Sequence, residues 1–248
     1  PACKTCHVKA WFGAFFDGTN NHRSRDFPLR HSNVVALFDA HRMDDDRGCR
    51  AVYYEGCGTE FDFPGRIQRT ARVVGRDRKL IWTDKVGYDE EESRLNQAFG
   101  LGIDLRLEKA IFDFELFLDG LRKKSRVDEI NVSAFGFSRG AATARAFTHW
   151  LRAHSKVTET AGRLMFDGIP LNFKFLGLFD TVESIGRAGE NTKAELFPSA
   201  VPRWVDKCVH TVAAHELRDA FPVTIIDAAA PSGQRIQVVS PGAHSDVG

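Results

Sequence analysis

No run in the sequence approaches the ~20 apolar residues that a membrane-crossing helix needs, and no secretory leader is visible at its start. An excess of one charge is missing too. Lys and Arg number 34 against 33 Asp and Glu, for a formal net charge of +1. That balance creates no global field toward nucleic acid or an acidic membrane. The densest basic cluster, Arg66 to Lys79, also holds Asp77 and reads as a solvated face. Nucleic acid is therefore not expected as a partner. Internal repeats and low-complexity segments are absent, which argues against a solenoid or a disordered linker.

Cysteine is scarce. The five residues, Cys3, Cys6, Cys49, Cys57 and Cys208, are an odd number in a long chain, which is no disulfide framework. Cys3-Lys4-Thr5-Cys6-His7 matches the C-x-x-C-H pattern of covalent haem attachment, but nothing downstream offers a haem pocket or axial partner. Half a zinc site is a second reading, with Cys49 and Cys57 the other nearby thiols. Free cysteines near a terminus are preferred to both, so neither cofactor nor metal is expected.

What is present is ordinary globular material, 43% hydrophobic and 27% charged. A chain of 248 residues can bury one large core. It opens on Pro1 and stops at Val247-Gly248 without a polar tail. The expectation is one domain over 1–248, part of a longer polypeptide.

Strand and helix signals alternate, which predicts an α/β fold of the α/β-hydrolase type, a mostly parallel sheet with helices on both faces. Val8 to Phe16 reads as a buried strand stopped by Asp17-Gly18-Thr19-Asn20-Asn21. Asn33 is placed to cap a helix from Val34 to Met43. Arg50 to Glu55 is a second strand. Residues 59–100 are polar with weak periodicity, and read as a lid or cap insertion or as a surface excursion. Asp104 to Lys124 carries Leu105, Ala110, Ile111, Phe114, Leu118 and Leu121 at the spacing of an amphipathic helix. Strands follow at Asp128 to Phe135, Leu171 to Phe179, Cys208 to Ala214 and Arg235 to Val239, with an Ala-rich helix from Arg139 to Ala153.

The chemistry centres on Gly136-Phe137-Ser138-Arg139-Gly140. A G-x-S-x-G string is modest evidence alone, but a β-type run precedes this one and a helix follows it. That is the setting of a nucleophile elbow, where the serine sits in a strained turn and glycines leave it room. Serine needs a base, and the base an orienting acid. In this fold they follow in the order acid, then His, at the ends of strands. Asp180 lies just past the strand ending at Phe179, and His244 just past the strand ending at Val239. His149 and His154 fall on the helix after the motif or at its end, pointing away, and His210 and His215 fall in a strand or at its end, where packing or hydrogen-bonded roles are expected. Asp227 and Asp246 are rival acids; Asp246 is expected to steady its own loop backbone. The oxyanion hole is expected from the backbone amide of Arg139 and one from the loop after the first strand, at Gly18, unless Asp17-Gly18-Thr19 is an ordinary turn.

The blocks Phe16-Asp17-Gly18-Thr19-Asn20-Asn21, Tyr54-Glu55-Gly56-Cys57-Gly58-Thr59, the serine motif, Gly177 to Val182 and Pro241 to Gly248 occur in one order along nearly the whole chain. Together they resemble a bacterial α/β-hydrolase domain family that includes the first family of type VI secretion lipase effectors. The resemblance implies phospholipase activity with Ser138, Asp180 and His244 as the Ser–Asp–His set. It implies a phospholipid substrate met by transient membrane-surface contact, a secretion spike protein and an immunity protein as partners, and passage from the producing cell's cytoplasm to a target cell's envelope. Two departures stand out. The family's motif continues through further glycines after Gly248, and His215-Glu216 stands where an acidic pair is expected. The readings left open are a soluble esterase or acyltransferase, and a non-catalytic interaction or delivery module that keeps the fold.

Overall fold

The segment HVKAWFGAFF forms β1 (His7–Phe16). Successive side chains of a strand face opposite ways. Ala10, Phe12, Ala14 and Phe16 therefore enter one core, and Phe15 enters another. Burial on both faces is the mark of a central strand in a parallel sheet. The structure, a computed structural model, describes residues 6–59, 67–74, 79–86, 102–183, 198, 200–218, 223–226 and 234–248.

Beyond β1 the described elements are α1 (Asn33–Ala40), a 3-10 turn (Asp45–Arg47), β2 (Cys49–Tyr54), β3 (Ile67–Val74), β4 (Lys79–Val86), α2 (Ile103–Lys124), β5 (Arg126–Phe137), α3 (Arg139–Arg152), β6 (Val157–Thr160), β7 (Arg163–Phe166), β8 (Ile169–Phe179), β9 (Val205–Ala213), β10 (Arg235–Ser240) and α4 (His244–Val247). Strands β10-β9-β8-β5-β1-β2 lie side by side in that order, all parallel. From β1 the chain adds β2 on one side, then β5, β8, β9 and β10 on the other. The direction of growth reverses between β1 and β5. In open α/β sheets the crevice beyond the strands' C-terminal ends at such a reversal is where ligands bind.

Helices cover both faces. All six residues of the predicted α2 stripe are buried. All but Leu105 pack on the β1 face with α3, where Phe12 meets Phe114 edge-on at 5.5 Å and Phe16 lies 5.7 Å from Phe147. Ala141, Ala142, Ala144 and Ala146 are buried along α3; their small side chains let it lie close to the sheet. On the other face α1 covers Phe15, Ala51 and Phe137 with Val34 and Phe38.

Several expectations need correction. The cap of α1 is Ser32, not Asn33: Ser32 is extended (φ −72°, ψ 163°) and its hydroxyl accepts from the Val35 N–H. The helix also ends at Ala40, short of Met43, because His41 is again extended. Two hairpins, β6–β7 and β7–β8, join the sheet antiparallel. Their turns, Ala161-Gly162 and Asp167-Gly168, hold positive φ at both central residues, as tight hairpins require. Within 59–100, β3 and β4 pair antiparallel in backbone register. The lid reading concerns mostly positions outside the described residues.

Candidate active site

Ser138 stands alone between β5 and α3, with φ 56° and ψ −124°. A non-glycine residue held there stores strain, and the surroundings enforce it. The Ser138 N–H donates to the Phe179 carbonyl at 2.9 Å, and the Ser138 carbonyl accepts from Ala141 at 3.0 Å and Val182 at 3.2 Å. The glycines are there for space. A Cβ at Gly136 would lie 2.2 Å from the Gly140 carbonyl oxygen, and one at Gly140 would lie 2.3 Å from the carbonyl oxygens of Phe16 and Asp17. No side chain tolerates that approach, so glycine at both positions is what lets α3 lie this close to β5 and β1.

His244 opens α4 and is 6% exposed; Ser138 is 3% and Asp180 1% exposed. His244 Nε2 lies 2.8 Å from Ser138 Oγ, and Nδ1 lies 2.6 Å from Asp180 Oδ2. An ionised carboxylate only accepts, so Nδ1 carries the hydrogen and Nε2 offers its lone pair to the serine hydroxyl. The Phe137 ring lies 4.7 Å from the imidazole. Asp180 is fixed by strand β9: its N–H donates to the Thr211 carbonyl at 2.7 Å, and its Oδ1 accepts from the Ala213 N–H at 2.8 Å. Burial pushes this carboxyl up, but the His244 imidazole and the Ala213 N–H outweigh it and hold it below the usual carboxylate range. Asp246 takes no part: its Oδ2 accepts from the Ala243 N–H at 2.7 Å, within its own turn. Asp227 lies outside the described residues.

The loop after β1 sits beside the serine as expected, since Arg139 Nε donates to Thr19 Oγ1. Arg139 is the first residue of α3, where amides point out of the helix end. The expectation for Gly18 is not met. Its N–H donates to Asp17 Oδ1 at 2.7 Å and so is turned to that carboxylate. Asp17 is 2% exposed. It accepts as well from Asn21 Nδ2 at 3.1 Å, Ser32 Oγ at 2.9 Å and Tyr53 OH at 2.6 Å. Burial raises its pKa against the pull of these hydrogen bonds.

Further residues brace the site from behind; sequence reasoning missed Arg145 and Glu216, while His210 takes a hydrogen-bonded role of the kind expected of it. Arg145, fully buried, donates to Thr181 Oγ1 at 3.0 Å and to the Thr224 carbonyl at 2.8 Å. His210 Nε2 accepts from the Thr181 N–H at 3.1 Å. Both therefore hold the residue next to Asp180. Glu216 Oε2 accepts from the His244 N–H at 3.2 Å, and the adjacent Arg218 is chief in keeping its carboxyl down at about 2. Its signal was the His215-Glu216 departure. His149 bonds the Ala200 carbonyl, His154 packs on Phe166, and His215 accepts from the Gly242 N–H. Cys57 and Cys208 are buried, Cys6 is exposed, and Cys3 lies outside the described residues. Among the described residues no group of three or more His, Cys, Asp or Glu is placed to hold a metal ion.

A strained serine at a strand–helix elbow, an imidazole and a carboxylate in one hydrogen-bonded row, on this sheet, define the α/β-hydrolase class. Within it, the chain belongs to the type VI secretion system (T6SS) phospholipase effector Tle1-like catalytic domain family, which it matches over residues 14–165 and 152–248. Solved structures with the same fold include the crystal structure of an uncharacterized protein from Pseudomonas aeruginosa. The two share 23% identity with a TM-score of 0.58, over 100% of this chain and 42% of that one. Another is the Tle1 effector bound to the VgrG spike from the Type 6 secretion system, at 21% identity and a TM-score of 0.57, over 98% of this chain and 51% of that one. The chain thus spans about half or less of those proteins' length. None of the curated proteins matches it.

Proposed function

We propose that this domain is a serine-dependent phospholipase that cleaves the carboxylic esters of phospholipids. The Ser138–His244–Asp180 row carries the reading, in a chain of a phospholipase-effector family. Ser138 Oγ attacks the ester carbonyl carbon while His244 Nε2 takes its proton. Asp180 holds the Nδ1–H and balances the imidazolium charge that develops. The oxyanion meets the Arg139 N–H and, in place of Gly18, the N–H of Thr19, whose side chain already touches Arg139. Collapse breaks the ester bond, and the leaving lysophospholipid oxygen takes the proton from His244. Water then attacks the acyl-serine and gives its proton to His244; the acyl–Oγ bond breaks, His244 returns that proton to Ser138 Oγ, and the fatty acid is released. The family match supports an effector role; we propose that the domain acts against rival bacteria, carried on a spike protein from the producing cell, checked there by an immunity protein, and active in the target cell's envelope.

The test is a fluorophosphonate probe with product analysis on defined phospholipids. One label should appear, at Ser138, with lysophospholipid and fatty acid as products; Ser138→Ala should abolish both without unfolding. Labelling at another serine overturns the assignment. Hydrolysis of short soluble esters alone selects an esterase or acyltransferase, and no labelling at all selects a non-catalytic delivery module.

A further inference from the structure

The loop between the β1 turn and α1 plays no part in the chemistry above. It carries two large apolar side chains into solvent: Phe27 is 71% exposed and Leu29 91% exposed. Single exposed apolar residues are common on soluble proteins. Three observations set these apart.

The first is that the loop is braced. The His22 N–H donates to Asp26 Oδ2 at 2.7 Å, the Asp26 N–H to the His22 carbonyl at 2.9 Å and the Arg30 N–H to the Asp26 carbonyl at 3.0 Å. Phe27 and Leu29 sit on that turn, held outward. The second is charge. Residues 22–31 contain three arginines against one aspartate, although the whole chain has a formal charge of only +1. Arg23 pairs with Asp39 and Arg25 with Asp26, while Arg30 is exposed and has no acidic partner among the described residues. Apolar side chains ringed by arginine are the composition of a surface that enters the headgroup layer of an anionic bilayer.

The third is position. The loop begins at Thr19, which touches Arg139 beside the serine. It ends at Asn33, whose Nδ2 donates to the Val247 carbonyl at 3.0 Å in the short helix that His244 opens. Because the central strands are parallel, the loops leaving their C-terminal ends share one rim of the sheet. The loop after β9 is on that rim as well, and it carries Leu217, 91% exposed, next to the Glu216 that bonds His244. Exposed apolar groups therefore stand on two of the loops that leave the rim carrying the serine. Among the described residues no helix is long and apolar enough to cross a membrane.

We propose that Phe27, Leu29 and Leu217, with Arg30, form the face by which this domain seats on an anionic phospholipid bilayer, turning the Ser138 rim to the lipid. Its purpose rests on the phospholipase reading; the binding itself does not. The measurement is sedimentation of the whole chain, carrying Ser138→Ala so that lipid is not consumed, with vesicles of phosphatidylethanolamine and phosphatidylglycerol. Binding is expected, weaker in high salt and weaker on phosphatidylcholine vesicles. Phe27→Ser with Leu29→Ser should reduce partition on the order of 100-fold, and Arg30→Gln about five-fold. In the chain with Ser138 intact, the Phe27/Leu29 pair of changes should slow hydrolysis of vesicle lipid while leaving a short soluble ester untouched. Binding lost without any phospholipid hydrolysis in the parent would sink the phospholipase reading and keep this face. Unchanged partition in the folded double variant, or a parent that ignores anionic vesicles, overturns the face and points to a protein partner.

Discussion

Asp180 and Asp246 are both within sequence reach of an acid's role, and geometry separates them. Asp180 reaches across 64 positions to His244 Nδ1, while Asp246 closes a turn onto Ala243. Asp180→Asn replaces an acceptor with an amide that can present a donor to Nδ1–H, which favours the wrong tautomer. The expected loss is ~10⁴-fold in kcat. Triad members act as a unit, so adding the change to Ser138→Ala should cost almost nothing further. Asp246→Asn should keep most turnover, because the side-chain amide oxygen can still accept from the Ala243 N–H. Steady-state kinetics on the folded variants decides between them: near-normal turnover in Asp180→Asn with a dead Asp246→Asn would reverse the assignment. Glu216 belongs to the same scale. Glu216→Ala removes the acceptor for the His244 N–H, and kcat should fall by a modest factor of about 10 with KM little changed. An unaltered kcat would mean that Asp180 alone fixes the histidine.

At the scale of elements, α1 does more than cover a core. Its cap, Ser32, accepts from Val35 and at once donates to Asp17, the carboxylate that shapes the loop beside the serine. The next residue, Asn33, holds the histidine helix. Ser32→Ala should cost about 1–2 kcal/mol in urea unfolding and lower kcat more than it alters KM. Ser32→Thr, which keeps the hydroxyl, should restore both; a purely stabilising cap would leave kcat at the parent value. This double duty was not legible in the sequence, where Ser32 and Asn33 are equally good caps and only the fold selects one. The Asp17 network was hidden for a related reason, since its partners lie 15 and 36 positions away. Gly18 was misjudged because an Asp-Gly turn displays its amide in isolation, whereas here the preceding carboxylate claims it. By contrast the α2 stripe, the apolar parallel strands and the Ser138, Asp180, His244 order were legible, because each depends on spacing along one element or on strand ends. The β6–β7 and β7–β8 hairpins carried a signal in Asp167-Gly168, but their short, largely exposed strands gave little alternation to read.

For the whole molecule, acid is the condition that the site's construction makes most costly, and His210 is the group that sets the window. It is completely buried. Burial first, and the Arg145 cation beside it second, push its imidazole down to about 4. It is therefore neutral in the fold while its unfolded counterpart takes up a proton near the ordinary value of ~6.5. A histidine depressed in this way gives the unfolded state the greater proton affinity, so stability is lost as pH falls below ~6.5. The loss continues to about 4, where the folded state begins to protonate too. Asp180, held below the usual carboxylate range, acts in the same direction at lower pH, since its contribution disappears as pH falls through its folded value. Asp17, raised by burial, acts oppositely and recovers some stability on protonation. In the interval from 6.5 to about 4 the His210 slope should approach ~1.4 kcal/mol per pH unit, on the order of 3 kcal/mol in all. Charging Nε2 also replaces the acceptor that the Thr181 N–H needs with a donor, so the turn carrying Asp180 should loosen first. His210→Gln offers an amide oxygen to Thr181 without a titrating proton. It should flatten the decline in urea-unfolding free energy between pH 6.5 and 4 by nearly one proton. Equal slopes in the two proteins would show that the buried imidazole does not govern the acid limit.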